Sequence, residues 1–298
     1  IPTFIYQDYK FTAPISPMIL KFVLENKTDI IHIQTTFTVG LQGMLIAKLL
    51  KLPLVGSYHT FFADPQYLKH FRFNSELMRN IVWATTRLHY NRCDLVVCSS
   101  KGVRDELVAK GIRKPIKIIP SGVNASVFDN TKAALVRRKY ARGSREKLAL
   151  FVGRLAHEKN IPYLLECFRL ALEKVPGTKL LIVGEGPQRR EVQSKIKNLK
   201  LAKKAVLLGK VDHGKLMKSG IYKACDVFLN ASTTETGPLT VLEAQANGLV
   251  CVGVKGRGME TIIDGVNGYV VKPDNKKAFA DAIAKVLTDD EKRARMSA

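Results

Sequence analysis

Six short apolar runs in the second half of the chain, LALFVG, KLLIVGEG, AVLLG, CDVFLN, VCVGV and GYVV, recur between polar segments of helical period. Each is the length of a buried strand and far below the ~18 apolar residues of a membrane-spanning helix. The segments between them, such as 162–174 and 187–199, have helical period. Repetition of strand and helix every ~25–30 residues dictates parallel pairing, because a crossover must return the chain before the next strand begins. The expected class is α/β with a doubly wound parallel sheet. The first half carries the same alternation less completely. DIIHIQT, LPLVGSYHT, CDLVVCSS and IKIIPSG read as strand ends, and 39–50, 75–91 and 101–110 as helices. His32 falls inside one of these strand patterns and reads as buried.

A chain of 298 residues has material for about two domains, each with its own core. At 46% hydrophobic residues and a mean hydropathy of −0.03, it has enough apolar surface to offset the entropy of ordering, which excludes a disordered chain. The apolar pattern breaks between Val123 and Lys147, at Gly122, Asn124 and a cationic patch of Arg137, Arg138, Lys139, Arg142 and Arg145. We therefore expect an N-terminal domain over 1–135 and a C-terminal domain over 136–298. The chain opens on Ile1 without a signal-peptide pattern. The five cysteines, Cys93, Cys98, Cys167, Cys225 and Cys251, are odd in number and form no CxxC pair. They read as reduced, buried small hydrophobes of a cytoplasmic protein.

The net charge of +22 is spread over both halves, +12 in residues 1–144 and +10 in the rest. Such an excess suits nucleic acid, anionic lipid or phosphorylated small molecules, and equally a solvated basic face. No nucleic-acid partner is expected, because the chain has no RNP, KH or zinc-finger spacing. Phe61, Phe62, Tyr67, Phe71 and Phe73 interleave with Lys69 and Arg72. That stretch reads either as a membrane-facing loop or as aromatics packing a local core.

Open α/β sheets collect ligands at the carboxyl ends of their strands, and three candidates sit at such ends. After FVG, with its turn at Gly153, Arg154 and Lys159 flank the next helix start. They read as converging on one anion or as two surface cations beside a turn. LLIVGEG places Gly184 and Gly186 where backbone can approach a ligand, short of the full dinucleotide spacing. The sharpest segment is 232–244, where a loop carries Glu235 and Gly237, Pro238 stands near a helix start with Leu239 and Thr240, and Glu243 follows on roughly their face. A helix N-terminus offers N–H groups to phosphate, and two carboxylates accept hydrogen bonds from sugar hydroxyls. Taken alone, the same residues describe an ordinary amphipathic helix after an acidic loop.

GRLAHEKN, LLIVGEGP, and Glu235 and Glu243 at E-x7-E spacing followed by AQANG, in that order, resemble family 4 of the retaining nucleotide-sugar glycosyltransferases, which adopt the GT-B fold. IIHIQTTFTVGLQG, VGSYHTFFADPQYL, CDLVVCSSKGVRDEL and IIPSGVN resemble its first domain, and SYHTFF with Thr-Glu-Thr resembles the subgroup that glycosylates diacylglycerol and related lipids. The resemblance implies two Rossmann-like domains facing a cleft. It also implies a strand and glycine-rich loop ahead of the first match, so the first domain reads as incomplete, and a last helix beginning about where the chain stops. Arg154 and Lys159 would hold the donor pyrophosphate, Glu235 the hexose and Glu243 the ribose diol. Gly237 to Thr240 would give backbone contacts, and His59 would face the transferred sugar from the opposite domain. No DxD motif occurs, so no metal or other cofactor is expected, and two cations and a helix dipole would stabilise the departing diphosphate. The implied activity is transfer of a hexose from a nucleotide sugar of the UDP-glucose type to a lipid such as diacylglycerol, with retention. The enzyme would be cytoplasmic and peripheral to the inner face of the cell membrane. A soluble saccharide acceptor and a catalytically dead nucleotide-sugar-binding fragment are the alternatives.

Overall fold

A computed structural model of the chain describes residues 16–69, 75–141, 143 and 146–297. The chain divides into two compact units, Ile1–Pro120 and Ser121–Ala298.

The first unit contains helices α1 (Pro17–Glu25), α2 (Thr38–Leu50), α3 (Pro65–Leu68), α4 (Glu76–Tyr90) and α5 (Lys101–Ala109). Its strands β1 (Ile31–Ile33), β2 (Leu54–Tyr58), β3 (Leu95–Cys98) and β4 (Ile116–Ile118) pair in parallel in chain order. Side chains that compete with the backbone mark the helix starts, as expected of N-caps. Ser75 Oγ accepts from Met78 N at 3.1 Å, and Ser100 Oγ from Val103 N at 3.3 Å. Ile33, Leu54, Tyr58, Val96 and Leu107 form the core with Trp83 and Tyr90.

One expectation for this unit needs correction, and one choice left open by the sequence is decided. His32 is exposed: in the alternation Ile31-His32-Ile33 only Ile33 is buried, and the histidine occupies the opposite face of the strand. Phe61 and Tyr67 are core residues, 2% and 8% exposed. Phe61 packs edge-on against Tyr58 with centroids 5.4 Å apart, and Tyr67 against Phe62 at 5.2 Å. Their rings are spent on internal packing and are not available to a lipid surface. Phe71, Arg72 and Phe73 lie outside the described residues.

The second unit runs α6 (Ala133–Tyr140), β5 (Lys147–Val152), α7 (Ile161–Ala171), β6 (Thr178–Val183), α8 (Arg189–Asn198), β7 (Ala205–Gly209), α9 (His213–Met217), α10 (Ile221–Ala224), β8 (Val227–Asn230), α11 (Leu239–Ala246), β9 (Val250–Val254), β10 (Gly268–Val271), α12 (Lys276–Thr288) and α13 (Asp290–Met296). Its six strands are those of the six apolar runs, all parallel, in the order β10-β9-β8-β5-β6-β7. Period-two alternation serves both faces. Leu148, Leu150 and Val152 of β5 join one core with Tyr222 and Val241, while Ala149 and Phe151 join the other with Leu164, Phe168 and Phe279. Burial on both sides explains why these strands read as continuous apolar runs.

The division falls at Pro120/Ser121, ahead of the expected 135/136. Segment 121–135 packs on the second unit: Asp129 N donates to Met217 O at 3.0 Å. Just beyond it, Arg137 Nη1 donates to Asp226 Oδ2 at 3.1 Å. Asp226 also accepts from Leu148 N at 2.7 Å, tying α6 to the start of β5. All five cysteines are free and buried; burial raises the thiols of Cys93 to about 11 and of Cys167 to about 12.

Candidate functional site

The strand order fixes where a ligand can sit in the second unit. β5 and β8 are neighbours, yet the chain leaves β5 toward β6 and leaves β8 toward β9, on opposite sides. Their loops diverge and open a crevice beyond their carboxyl ends. Loops 153–160 and 231–238, which follow β5 and β8, border that point.

The two loops meet through charge. Lys159 ends a 3-10 turn (His157–Lys159), and its Nζ lies 2.7 Å from Glu235 Oε1, with side-chain exposures of 26% and 11%. A pair so shielded from water is held by more than the weak attraction of surface ions, and separating it without a substitute leaves a charge poorly solvated. Arg154 stands half-buried on the same loop. Burial lowers its guanidinium from the ordinary value and the Glu158 charge opposes the shift; an arginine remains charged throughout.

Gly184 and Gly186 have a packing role. Gly184 has φ +141°, and a Cβ there would overlap the carbonyl oxygen of Gly153; one at Gly186 would overlap that of Leu155. The space their missing side chains leave is filled by the loop after β5, stitched by Leu155 N to Glu185 O and Gln188 N to Leu155 O, each 2.9 Å. These glycines hold the loop that carries Arg154 and Lys159.

Pro238 is the N-cap of α11, with no side-chain capping bond, and Leu239 at its first turn is half exposed. Glu243 points the other way. It is 5% exposed, accepts from the Tyr222 hydroxyl at Oε2 (2.6 Å), and has His213 Nε2 2.8 Å from Oε1. Burial, then the bond to Glu243, raises the Tyr222 phenol above its ordinary value, so Tyr222 stays a donor. His213 is 71% exposed at its side chain, whereas the Glu243 side chain it meets is 7% exposed. Neither His213 nor Tyr222 stands out in the sequence. Behind the acidic loop, Gly258 backs onto Glu235 and Thr236, and Gly256 onto Thr233; the G-x-G of segment 256–258 was the one available signal.

The structure thus brings Gly153, Arg154, Lys159, Glu235, Gly237, Pro238, Leu239, Thr240 and Glu243 onto adjoining strand ends and the helix that follows. His59 belongs to the first unit, at the end of β2. Its Nε2–H donates to Gln34 Oε1 at 2.6 Å, and the Gln34 amide donates to His32 Nε2 at 3.1 Å, which also lies 2.8 Å from Ser57 Oγ. Burial, and second the proximity of His32, lower the His59 pKa below its usual value, so the ring is neutral at pH 7. Among the described residues no three His, Cys, Asp or Glu side chains gather as a metal-ligand set, and no helix is long and apolar enough to cross a membrane.

Comparisons with known proteins agree with this geometry. Residues 1–127 match the model of "Glycosyltransferase Family 4". The alpha-monoglucosyldiacylglycerol synthase of Streptococcus pneumoniae is 30% identical over 253 residues, covering 83% of this chain and 56% of that one. The sulfoquinovosyl transferase SQD2 of Arabidopsis thaliana is 28% identical over 296 residues, covering 97% and 55%. The chain therefore spans a little over half the length of these relatives. The crystal structure of Anabaena HepE in complex with UDP shares the fold at a TM-score of 0.77 and 19% identity, over 94% of this chain and 74% of that one. With residues 133–298 matching the model of "Glycosyl transferases group 1", over the unit that holds the paired Lys159 and Glu235 and the buried Glu243, the chain belongs to that glycosyltransferase family, on the two parallel sheets of the GT-B fold.

Proposed function

We propose that this chain transfers a hexose from a UDP-glucose-type donor to a lipid acceptor such as diacylglycerol at the membrane surface, with retention of anomeric configuration. The observation that carries the reading is the pair Lys159–Glu235 at the switch point of a doubly wound sheet, one cation and one carboxylate 2.7 Å apart. A nucleotide sugar presents the matching groups, phosphate and hydroxyls, at neighbouring atoms. Lys159 and Arg154 meet the diphosphate, Glu235 accepts from the hexose hydroxyls, and Glu243 Oε1 accepts from the ribose. As the anomeric carbon–oxygen bond breaks, the electron pair goes to the diphosphate, which the two cations stabilise. The acceptor oxygen bonds to the anomeric carbon on the same face and its proton passes to the departing phosphate oxygen. The hydrogen bond from His59 to the sugar is a role that the family resemblance alone implies. The lipid acceptor is supported by the name of one relative, an alpha-monoglucosyldiacylglycerol synthase.

The test is incubation of the protein with labelled UDP-glucose and either diacylglycerol in mixed micelles or soluble saccharides. Labelled glycolipid is the expected product, and transfer to saccharide alone overturns the reading. Since Arg154 and Lys159 supply the charge, excess EDTA should leave turnover largely intact; activity lost to EDTA and restored by Mg²⁺ would contradict that part of it.

A further inference from the structure

The second unit carries a cavity of about 760 Å³ between α6 and segment 211–219, within the ~300–1,000 Å³ of small-molecule sites. Lys132, Lys139, Lys215 and Lys218 stand around it, and Leu135, Val136 and Val211 give it an apolar wall. The wall is fixed by the fold. At the N-terminal end of α6, Gly220 has φ +69° and a Cβ there would collide with the Ala133 backbone, so only glycine lets the helix settle. Arg137 then fastens the inner face of α6 by donating to Ala224 O at 2.9 Å and to Asp226. The outer face keeps Leu135, 56% exposed, among cations.

The charges here are available. Lys147, Lys159, Lys174, Lys179 and Lys195 are each in an ion pair with a carboxylate, whereas among the described residues none of the four cavity lysines is. Lys139 lies over the Tyr140 ring at 5.3 Å. Two acids adjoin the cavity, and both are engaged. Asp212 caps α9 by accepting from Lys215 N at 3.3 Å. Asp129 accepts from Thr131, which, with lesser help from Lys132 and Lys218, holds its carboxyl below the usual range. Four ammonium groups against two carboxylates leave a positive excess beside an exposed leucine. That combination matches a molecule with a phosphate at one end and hydrocarbon at the other. A nucleic acid would meet the cations and find no use for Leu135.

We propose that this groove binds the headgroup of an anionic membrane phospholipid, with the phosphate among the four lysines and the first part of an acyl chain against Leu135, Val136 and Val211. None of its four lysines is among the residues assigned to the donor, and it would set this face of the second unit on the membrane whatever the acceptor is, so its failure and that of the proposed activity are distinguishable.

The experiment is sedimentation of the protein with phosphatidylglycerol/phosphatidylcholine vesicles, without donor or acceptor. The variant Lys132→Gln/Lys139→Gln/Lys215→Gln/Lys218→Gln should lower partitioning by about tenfold or more. The control Lys197→Gln/Lys200→Gln/Lys203→Gln/Lys277→Gln, exposed lysines outside the groove with the same loss of charge, should change it less than about threefold. Leu135→Ser should weaken binding with all charges intact, and melting curves of the three variants should overlay that of the wild type. Equal losses in the two quadruple variants would make binding a matter of net charge and overturn the proposal. So would release by inorganic phosphate beyond that caused by chloride of equal ionic strength, since the site would then serve a free anion. Competitive release by UDP would assign the groove to the strand-end site. Duplex DNA binding that depends on the four lysines while vesicle binding does not would name the other partner.

Discussion

The two units arm their candidate residues in opposite ways. In the second, charge is stored in pairs: Lys159 against Glu235, and Glu243 beneath Tyr222 and His213. In the first, His59 sits in a hydrogen-bonded relay with Gln34, His32 and Ser57, and its lowered pKa keeps it uncharged. A group that must face a developing anion needs a permanent charge, and a partner keeps that charge tolerable until a ligand arrives. A group that only directs a hydroxyl is better off uncharged, since a cation there would compete for the phosphate.

The sharpest way to break this contrast is through packing in the first unit. Phe61, 2% exposed, should cost about 3–5 kcal/mol when replaced by Ala, seen as a large fall in denaturant midpoint. A loss under about 1 kcal/mol would return the ring to the surface role considered from sequence. Next comes Lys159→Ala, which should lower kcat by roughly 10² to 10³, the usual consequence of removing one preorganised charge and here worsened by the bare Glu235 carboxylate. Unchanged kcat would reduce the pair to a structural tie. Tyr222→Phe should destabilise by about 1–3 kcal/mol, because it deprives a buried carboxylate oxygen of its donor. It should also raise the donor KM more than it lowers kcat, since on the proposed reading Glu243 meets the ribose in ground and transition states alike; a stability change with donor KM untouched would detach Glu243 from the ribose. The smallest effect is the titration of His59. An NMR imidazole signal should give a midpoint below 6.5. A depressed folded pKa means the unfolded chain takes up the proton first, so the stability this neutral ring confers is complete above the unfolded value of 6.5 and is lost as pH falls from there through the folded midpoint. His32→Asn should recover only a minor part of the shift, burial being its larger cause.

What sequence made legible was whatever depends on neighbours along the chain. The helix expected over 75–91 forms over Glu76–Tyr90, and the six apolar runs are the six strands of the larger sheet. Arg154, Lys159, Glu235 and Glu243 were nameable because strand ends and a helix start are local patterns. Their partnering was not. Tyr222 and His213 reach Glu243 across 21 and 30 residues and through the packing of α9 and α10 beside α11, information that resides in the fold alone. The misreading of His32 has a simpler origin. Alternation was recognised, but the buried face of β1 belongs to Ile33, so the histidine necessarily lies on the other. The packing of Gly184 and Gly186 on the loop after β5 was not legible either, because a glycine-rich turn at a strand end looks the same in sequence whatever fills the space beside it.

The Lys159–Glu235 contact also bears on which molecules can be rejected. Inorganic phosphate arriving alone would have to part the lysine from its carboxylate and would then lie next to an uncompensated negative charge; a free sugar arriving alone would meet a carboxylate already claimed by an ammonium. On the proposed reading, each half of a nucleotide sugar faces a penalty that only the other half relieves, so discrimination against the fragments of the donor would be built into the resting site. The same reciprocity favours clearance after transfer. On the proposed reading, once the hexose has gone, Glu235 is again free to reclaim Lys159, and the nucleoside diphosphate left behind loses part of its hold to a competitor tethered 2.7 Å away.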